Sequence, residues 1–312
     1  MKTKTRRLLQ PIWNALDAVL LPYASKGLIL CVSGGSDSRA LLESVAHWPK
    51  RFEKIHVVSV DHDTRPETRM EAQAVCARAR ILGFESHLLS LYPVLKKDEA
   101  SLRAARYGLI WQLARDLGVG AIATAHTQDD QAESFLMDMM GHGGGAEGSA
   151  MPACLQMSQG YLLRPVLEFS RAYLIAVLTE LSQDYFVDPT NEQSVGKRVQ
   201  VRDFLKLHPV PHERLARLAQ KRSADLAALQ SWACELIEVH SPGQVSVRFE
   251  PETPEAVLLQ AFKKALNSLL PDQDLRSAHN TLSLMAKNQT GQYDLPGCVA
   301  KMQAHKALFI QI

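Results

Sequence analysis

Four short stretches of this chain carry residues that could do chemistry. The first, Ser33-Gly34-Gly35-Ser36-Asp37-Ser38, sits between an apolar run (LILCV, residues 28–32) and a helical pattern. Backbone N–H groups at a helix start form an anion site, and glycines let the main chain close on the anion with no Cβ in the way. Ser33, Ser36 and Ser38 add hydroxyl donors. Asp37 suits a magnesium ion better than a phosphate, which its charge would repel. A Walker A loop would need a lysine, and a dinucleotide fingerprint would read G-x-G-x-x-G; neither is present. The second stretch is AHTQDDQAES, residues 125–134, with His126 followed by Asp129, Asp130 and Glu133. On a helix Asp130 and Glu133 share a face and could address one cation or one substrate amine. Asp129, nearer the helix start, could serve only the macrodipole. The third is LRAARY, residues 102–107, where Arg103 and Arg106 share a helix face. The fourth is DPTN, residues 188–191, followed by KRVQVR, residues 197–202, where Arg198 and Arg202 project on one side.

These groups need a frame. Short β-branched runs at 28–32, 55–60, 86–91 and 119–125 alternate with helical patterns at 38–47, 67–82 and 101–117, two of which stop at Gly83 and Gly118. Strands alternating with helices predict βαβ units: an α/β fold with a twisted parallel sheet and helices on both faces. Ligands of such sheets bind beyond the carboxyl ends of the strands. The first and second chemical stretches fall at two of those ends. A leading amphipathic helix is expected at the N-terminus, a glycine-rich loop at 141–151, and a turn at DPTN. Beyond about residue 210 the pattern is mostly helical, turning strand-like near the C-terminus (VSVRF; KALFIQI). The boundary is placed near residues 209–211, giving a catalytic domain over 1–209 and a smaller, mostly helical domain over 210–312.

Composition narrows the class. The chain has 312 residues, 46% hydrophobic and 22% charged, with a net charge of +2, which fits a globular enzyme. No apolar run approaches the roughly 18 residues of a membrane span. Five widely spaced cysteines without a C-x-x-C pair argue against a disulfide framework and for a reducing, cytoplasmic setting. Charge is concentrated locally: residues 196–222 hold eight basic side chains against two acidic ones, either a solvated helix face or a phosphate-backbone footprint.

The S-G-G-x-D-S loop resembles the pyrophosphate-binding loop of the N-type ATP pyrophosphatases, which cleave ATP between the α and β phosphates. Taken in order, SGGSDS, VDH at 60–62, LRAARY, AHTQDDQAES, the glycine loop, RPVL at 164–167, DPTN and RVQVR at 198–202 resemble the tRNA(Ile)-lysidine synthetase family. The resemblance spans roughly residues 25–205; the tail GQYDLPGCVAKMQAHKALFI, residues 291–310, resembles more weakly the family's C-terminal hairpin around Leu295-Pro296-Gly297, and the length resembles members with one C-terminal domain. It implies an adenine nucleotide alpha hydrolase-like fold. It implies ATP-dependent ligation of L-lysine to C2 of the wobble cytidine in a CAU-anticodon isoleucine tRNA, through an adenylated cytidine. It implies magnesium, a tRNA-recognising C-terminal domain, no membrane partner and a homodimer. Carried over by position, Ser33, Gly34, Gly35, Ser36, Asp37 and Ser38 would hold ATP, with Asp37 on the metal. Arg106, His126 and Arg198 would steady charge at the reacting phosphate and base. Asp130 and Glu133 would bind lysine, and Arg198 and Arg202 would meet tRNA. Val199 stands where the family has Asn, Asp63 and Thr64 replace Gly-Leu, and Gly141-His142 lacks the usual preceding basic residue. A tRNA thiolation enzyme and a small-metabolite ATP pyrophosphatase share the loop. The missing cysteine pair weighs against the first, and the basic stretch with an added domain against the second.

Overall fold

The computed structural model describes residues 3–61, 67–91, 99–140, 150–187, 197–208, 210–270, 278–288, 290–303 and 305–311, without the side chains at 99, 100, 197, 198, 206 and 288. The chain divides into two compact units, Met1–Gln220 and Lys221–Ile312.

The first unit is built on a six-stranded sheet in the order β3-β2-β1-β4-β6-β5. Its strands are β1 (Leu28–Cys31), β2 (Ile55–Asp61), β3 (Glu85–Ser90), β4 (Ala121–Ala123), β5 (Cys154–Met157) and β6 (Gly160–Leu163). All neighbours are parallel except β5, which runs antiparallel to β6 at the edge. The central strands are apolar on both faces because both are covered. Leu28 and Leu30 of β1 join a core with Ile55, Val57, Ala121 and Ala123, while Ile29 joins a second core with Val58 and Ile122.

The first face is covered by α1 (Thr3–Val19), α2 (Ser36–Ala46), α3 (Glu67–Ile81) and α6 (Arg171–Glu180), through residues such as Ile12, Leu42, Val75 and Leu174. The indole N–H of Trp13 donates to the Ser44 carbonyl at 3.1 Å, and the Tyr173 hydroxyl donates to that of Leu8 at 2.8 Å, tying α1 to α2 and α6. The other face is covered by α4 (Glu99–Asp116), through Ile110, Trp111 and Ala114. Gly83 and Gly118, just past α3 and α4, have φ of +81° and +59°, the left-handed geometry that ends helices on glycine. A third cluster packs α5 (Gln128–Met139) against α7 (Lys197–Leu207) and the start of α8 (His212–Glu235), through Phe135, Val201, Leu205 and Leu215.

The second unit carries the helices expected there, α9 (Glu255–Leu269) and α10 (His279–Asn288), with the end of α8. It also carries a five-stranded antiparallel sheet, β7-β8-β11-β10-β9. Its strands are β7 (Ile237–Ser241), β8 (Gln244–Arg248), β9 (Gly291–Leu295), β10 (Cys298–Gln303) and β11 (Lys306–Gln311). The apolar patterns VSVRF and KALFIQI correspond to β8 and β11. The hairpin expected around Leu295-Pro296-Gly297 is β9–β10, with Leu295 opposite Cys298. Strand β7 escapes a sequence reading because none of its residues is buried and polar residues alternate into its pattern. Val245, Phe309, Phe262 and Leu282 share the core of this unit. All five cysteines are free thiols: Cys76 and Cys298 are buried, Cys31 is half-buried, and Cys154 and Cys234 are exposed. Among the described residues no helix is long and apolar enough to cross a membrane.

Candidate active site

The sheet reverses its strand order between β1 and β4, each of which pairs with the other and with a different outer strand. At such a switch point the connections leave in opposite directions and a crevice opens beyond the strand ends. A cleft of about 610 Å³ lies there, in the size range of small-ligand sites. Ser33, Asp37, Arg106, His126, Arg171 and Arg202 are among the residues that line it.

The loop after β1 is shaped from within. The Ser38 hydroxyl accepts from the Ser33 and Gly34 N–H groups, each at 3.2 Å, and donates to the Gly35 carbonyl at 3.1 Å. Ser38 is buried, so it holds the loop in shape rather than simply presenting a hydroxyl to the cleft. The two glycines differ. Gly34 has φ of +93°, and a Cβ there would stand 2.7 Å from Phe186. Gly35 has φ of −67° at the N-cap of α2, with nothing closer to a virtual Cβ than 3.8 Å. No side chain caps α2, whereas Thr127 caps α5 and Ser170 caps α6. The first-turn N–H groups of α2 are thereby left to an anionic ligand.

Beside the loop, α5 begins with a reciprocal cap. Thr127 Oγ1 accepts from the Asp130 N–H at 3.3 Å, and Asp130 Oδ2 accepts from the Thr127 N–H at 2.8 Å and its hydroxyl at 3.0 Å. Asp130 presents its other oxygen, Oδ1, 3.8 Å from a guanidinium nitrogen of Arg171. The same Arg171 places Nε 3.0 and 3.3 Å from the two oxygens of Asp37. One guanidinium thus bridges the carboxylate of the β1 loop and that of the helix after β4. Burial pushes the Asp37 carboxyl above its ordinary value, against the opposing pull of Arg171. For Arg171, burial works against the charge, but Asp37 and Asp130 more than offset it and the net shift is upward.

Arg171 is the site residue that reading the sequence misses. A signal was present. A basic side chain at the first position of a helix opposes the macrodipole, and it is tolerated here because carboxylates surround it. Asp129 is placed by the same contacts: Oδ2 accepts from the Arg171 N–H at 2.7 Å, and Oδ1 lies 2.9 Å from His212 Nδ1. It binds the starts of α6 and α8 and does more than complement its own helix. Tyr185, Phe186 and Val187, also unforeseen, line the cleft, and the Phe186 N–H donates to the Gly34 carbonyl at 3.0 Å.

Glu133 is buried, with Oε1 accepting from Arg202 Nε at 2.7 Å and Oε2 buried without a hydrogen-bond partner among the described residues. The structure therefore sets Arg202 on Glu133 at the cleft edge. His126 Nδ1 lies 2.8 Å from the Thr124 hydroxyl. The Arg106 guanidinium lies 5.6 Å from the Tyr107 ring centre, beside Arg103 at 5.2 Å on the same ring. Burial pushes the Cys31 thiol up to about 12 despite Arg106, which disfavours its nucleophilic thiolate form. In RPVL, Arg164 is buried and donates to the Pro152 carbonyl at 2.7 Å. His62, Asp63, Thr64, the glycine loop at 141–149, DPTN and the Arg198 side chain lie outside the described residues.

A switch-point cleft, an uncapped helix start and a two-glycine turn define a PP-loop nucleotide-binding protein, and the PP-loop domain family matches residues 2–208. The solved U34-tRNA thiolase from Methanococcus maripaludis shares the fold at a TM-score of 0.57 and 14% identity, over 70% of this chain and 80% of that one. The tRNA(Ile)-lysidine synthase of Methylobacterium nodulans is 34% identical over 82% of this chain and 78% of its own length. That of a second Methylobacterium strain is 37% identical over 78% and 74%. The chain belongs to the tRNA(Ile)-lysidine synthase family.

Proposed function

We propose that this chain uses ATP to attach L-lysine to C2 of the wobble cytidine in a CAU-anticodon isoleucine tRNA. The observation that carries the reading is the Arg171 bridge, with Asp37 on one side and Asp130 on the other. It joins the phosphate loop and the acidic helix into one site, as a reaction spending ATP on an amine requires.

In the first step the cytidine O2 attacks the α-phosphorus and pyrophosphate leaves. Gly34, Gly35 and the open start of α2 receive the departing β and γ phosphates, with Ser33 and Ser36 beside them. No loop lysine is needed, because this pyrophosphate is released rather than braced for γ-transfer. Arg106 and His126, which also line the cleft, offset charge developing at the α-phosphate and base. In the second step the lysine ε-amine forms the C2–N bond, AMP leaves with the former O2, and a proton leaves the nitrogen. A nearby carboxylate assists by accepting that proton. Asp130 and Glu133 recognise the lysine amines. The unpartnered Glu133 oxygen supports this role, since a buried carboxylate oxygen favours a cation.

The donor set suits magnesium: hard carboxylate oxygens at Asp37 and Asp130 face one cation already, the Arg171 guanidinium. Asp37 is the residue that would hold the ion, which would supply charge neutralisation for the phosphates when bound. Arg198 and Arg202 lie on a basic segment suited to the tRNA backbone. Within the same proposal the protein acts as a homodimer in the cytoplasm, with the C-terminal unit contributing to tRNA recognition.

The test is direct. Purified protein with labelled lysine, ATP, magnesium and a CAU-anticodon isoleucine tRNA transcript is expected to give labelled tRNA and matching AMP. No incorporation, or equal incorporation into initiator methionine tRNA, would overturn the assignment.

A further inference from the structure

At the opposite ends of the strands from the phosphate loop, three ligating side chains converge. His56 is the second residue of β2, and its register partner across the parallel ladder is Glu85, the first residue of β3. His87 lies two residues further along β3. With a two-residue side-chain repeat, Glu85 and His87 share one face of this edge strand, the face to which Leu89 also belongs. His56 Nδ1 stands 3.0 Å from Glu85 Oε2 and 3.3 Å from His87 Nε2, and the three ligand atoms lie within 4.8 Å of one another. Among the described residues this is the one group of three metal-ligating side chains brought so close.

Hydrogen bonding leaves the arrangement short of a proton. Neutral His56 Nδ1 carries either one hydrogen or one lone pair. If it donates to Glu85, it has no lone pair for a hydrogen from His87. If it accepts from His87, it turns a lone pair on the carboxylate. A cation at the focus satisfies all three acceptors at once. The spacing suits one: with bonds of about 2.0–2.1 Å, ligand atoms at the corners of a tetrahedron stand roughly 3.3 Å apart. Lys54, the neighbouring basic residue, has its ammonium on the Gly118 carbonyl at 2.6 Å.

We propose that His56, Glu85 and His87 bind a first-row divalent transition metal ion, zinc foremost, with water completing a tetrahedral site. Two imidazoles and one carboxylate select such ions over magnesium, which prefers oxygen ligands alone. The ion would fasten the edge strand β3 to β2, a structural role separate from ATP chemistry and independent of the proposed reaction.

The test uses untagged full-length protein stripped with chelator, titrated calorimetrically with zinc chloride without ATP. One ion per chain is expected. His87→Gln and Glu85→Gln should each weaken binding by at least about tenfold, while Cys234→Ser, at an exposed thiol in the other unit, should leave it unchanged. Glu85 is 76% exposed at its side chain, so its replacement tests ligation without threatening the fold, which circular dichroism checks. Cobalt substitution should give a tetrahedral visible spectrum without sulfur charge-transfer. Absence of zinc binding by the parent, or parent-like affinity in either ligand variant, would overturn the proposal.

Discussion

Arg171 gathers the charges of the site, and its removal leaves Asp37 and Asp130 facing each other uncompensated. Arg171→Ala is expected to lower kcat/KM for lysine incorporation by about 10²–10³-fold, with Arg171→Lys recovering part by restoring charge without the fork. Steady-state kinetics with varied ATP checks both. Asp37 gives a pH signature. Its folded-state carboxyl titrates above the ordinary 3.8 because it is buried. That contribution to stability is present below 3.8 and disappears as pH rises through the folded value. The stability of Asp37→Asn relative to the parent should therefore increase across that interval and level off above it, as urea midpoints from pH 3.5 to 7 would record. The cleft residues named from the sequence were those carried in short contiguous motifs: the SGGSDS loop, Arg106, His126 and Arg202. Arg171 was not, because it reaches Asp37 across 134 positions. Its only local mark is a charge at the disfavoured end of a helix.

At the level of elements, the phosphate loop and the acidic helix are held by different means. The loop depends on Gly34, whose positive φ and contact with Phe186 exclude any side chain. Gly34→Ala is expected to cost about 1–3 kcal/mol of stability, whereas Gly35→Ala should cost under about 1 kcal/mol; thermal melts of the two separate them. The helix α5 depends on α7 through the Arg202–Glu133 pair. Glu133 is 4% exposed and Arg202 28%. Arg202→Ala strands a buried carboxylate and should cost about 2–4 kcal/mol, discounted for the partly wet arginine. Glu133→Gln in the same chain should recover much of this if the stranded charge is the cause, which a double-mutant cycle in urea measures. The alternating βα pattern was readable because the buried strands are apolar on both faces and the helices end at glycines. The edge hairpin β5–β6 was not: the β5 residues are all exposed, so no hydrophobic period marks them.

On the scale of the whole molecule, each unit owns its core. The sheet of the first buries Leu28, Val57 and Leu174; that of the second buries Phe262, Leu282 and Phe309. Calorimetry is expected to resolve two unfolding transitions. ATP at a hundred times its Kd should stabilise only the unit that carries the loop, by about 2.7 kcal/mol; a single transition moved as one by ATP would show the units melting together. Two prolines and a change of period place the division at residues 209–211, whereas the first compact unit runs on to Gln220, because the start of α8 packs through Leu215 and Ala219 with α5 and α7. In the second sheet β8, β11 and the β9–β10 hairpin were readable, whereas β7 was not, because none of its residues is buried. The five thiols fall unevenly across this arrangement. Cys76 and Cys298 are buried, and burial disfavours the thiolate of half-buried Cys31. Cys154, in the first unit, and Cys234, in the second, are exposed. The wild-type chain therefore already offers one labelling position on each unit. A donor and acceptor dye attached there would follow the distance between the two bodies as tRNA is taken up and let go, with no mutation introduced to place them.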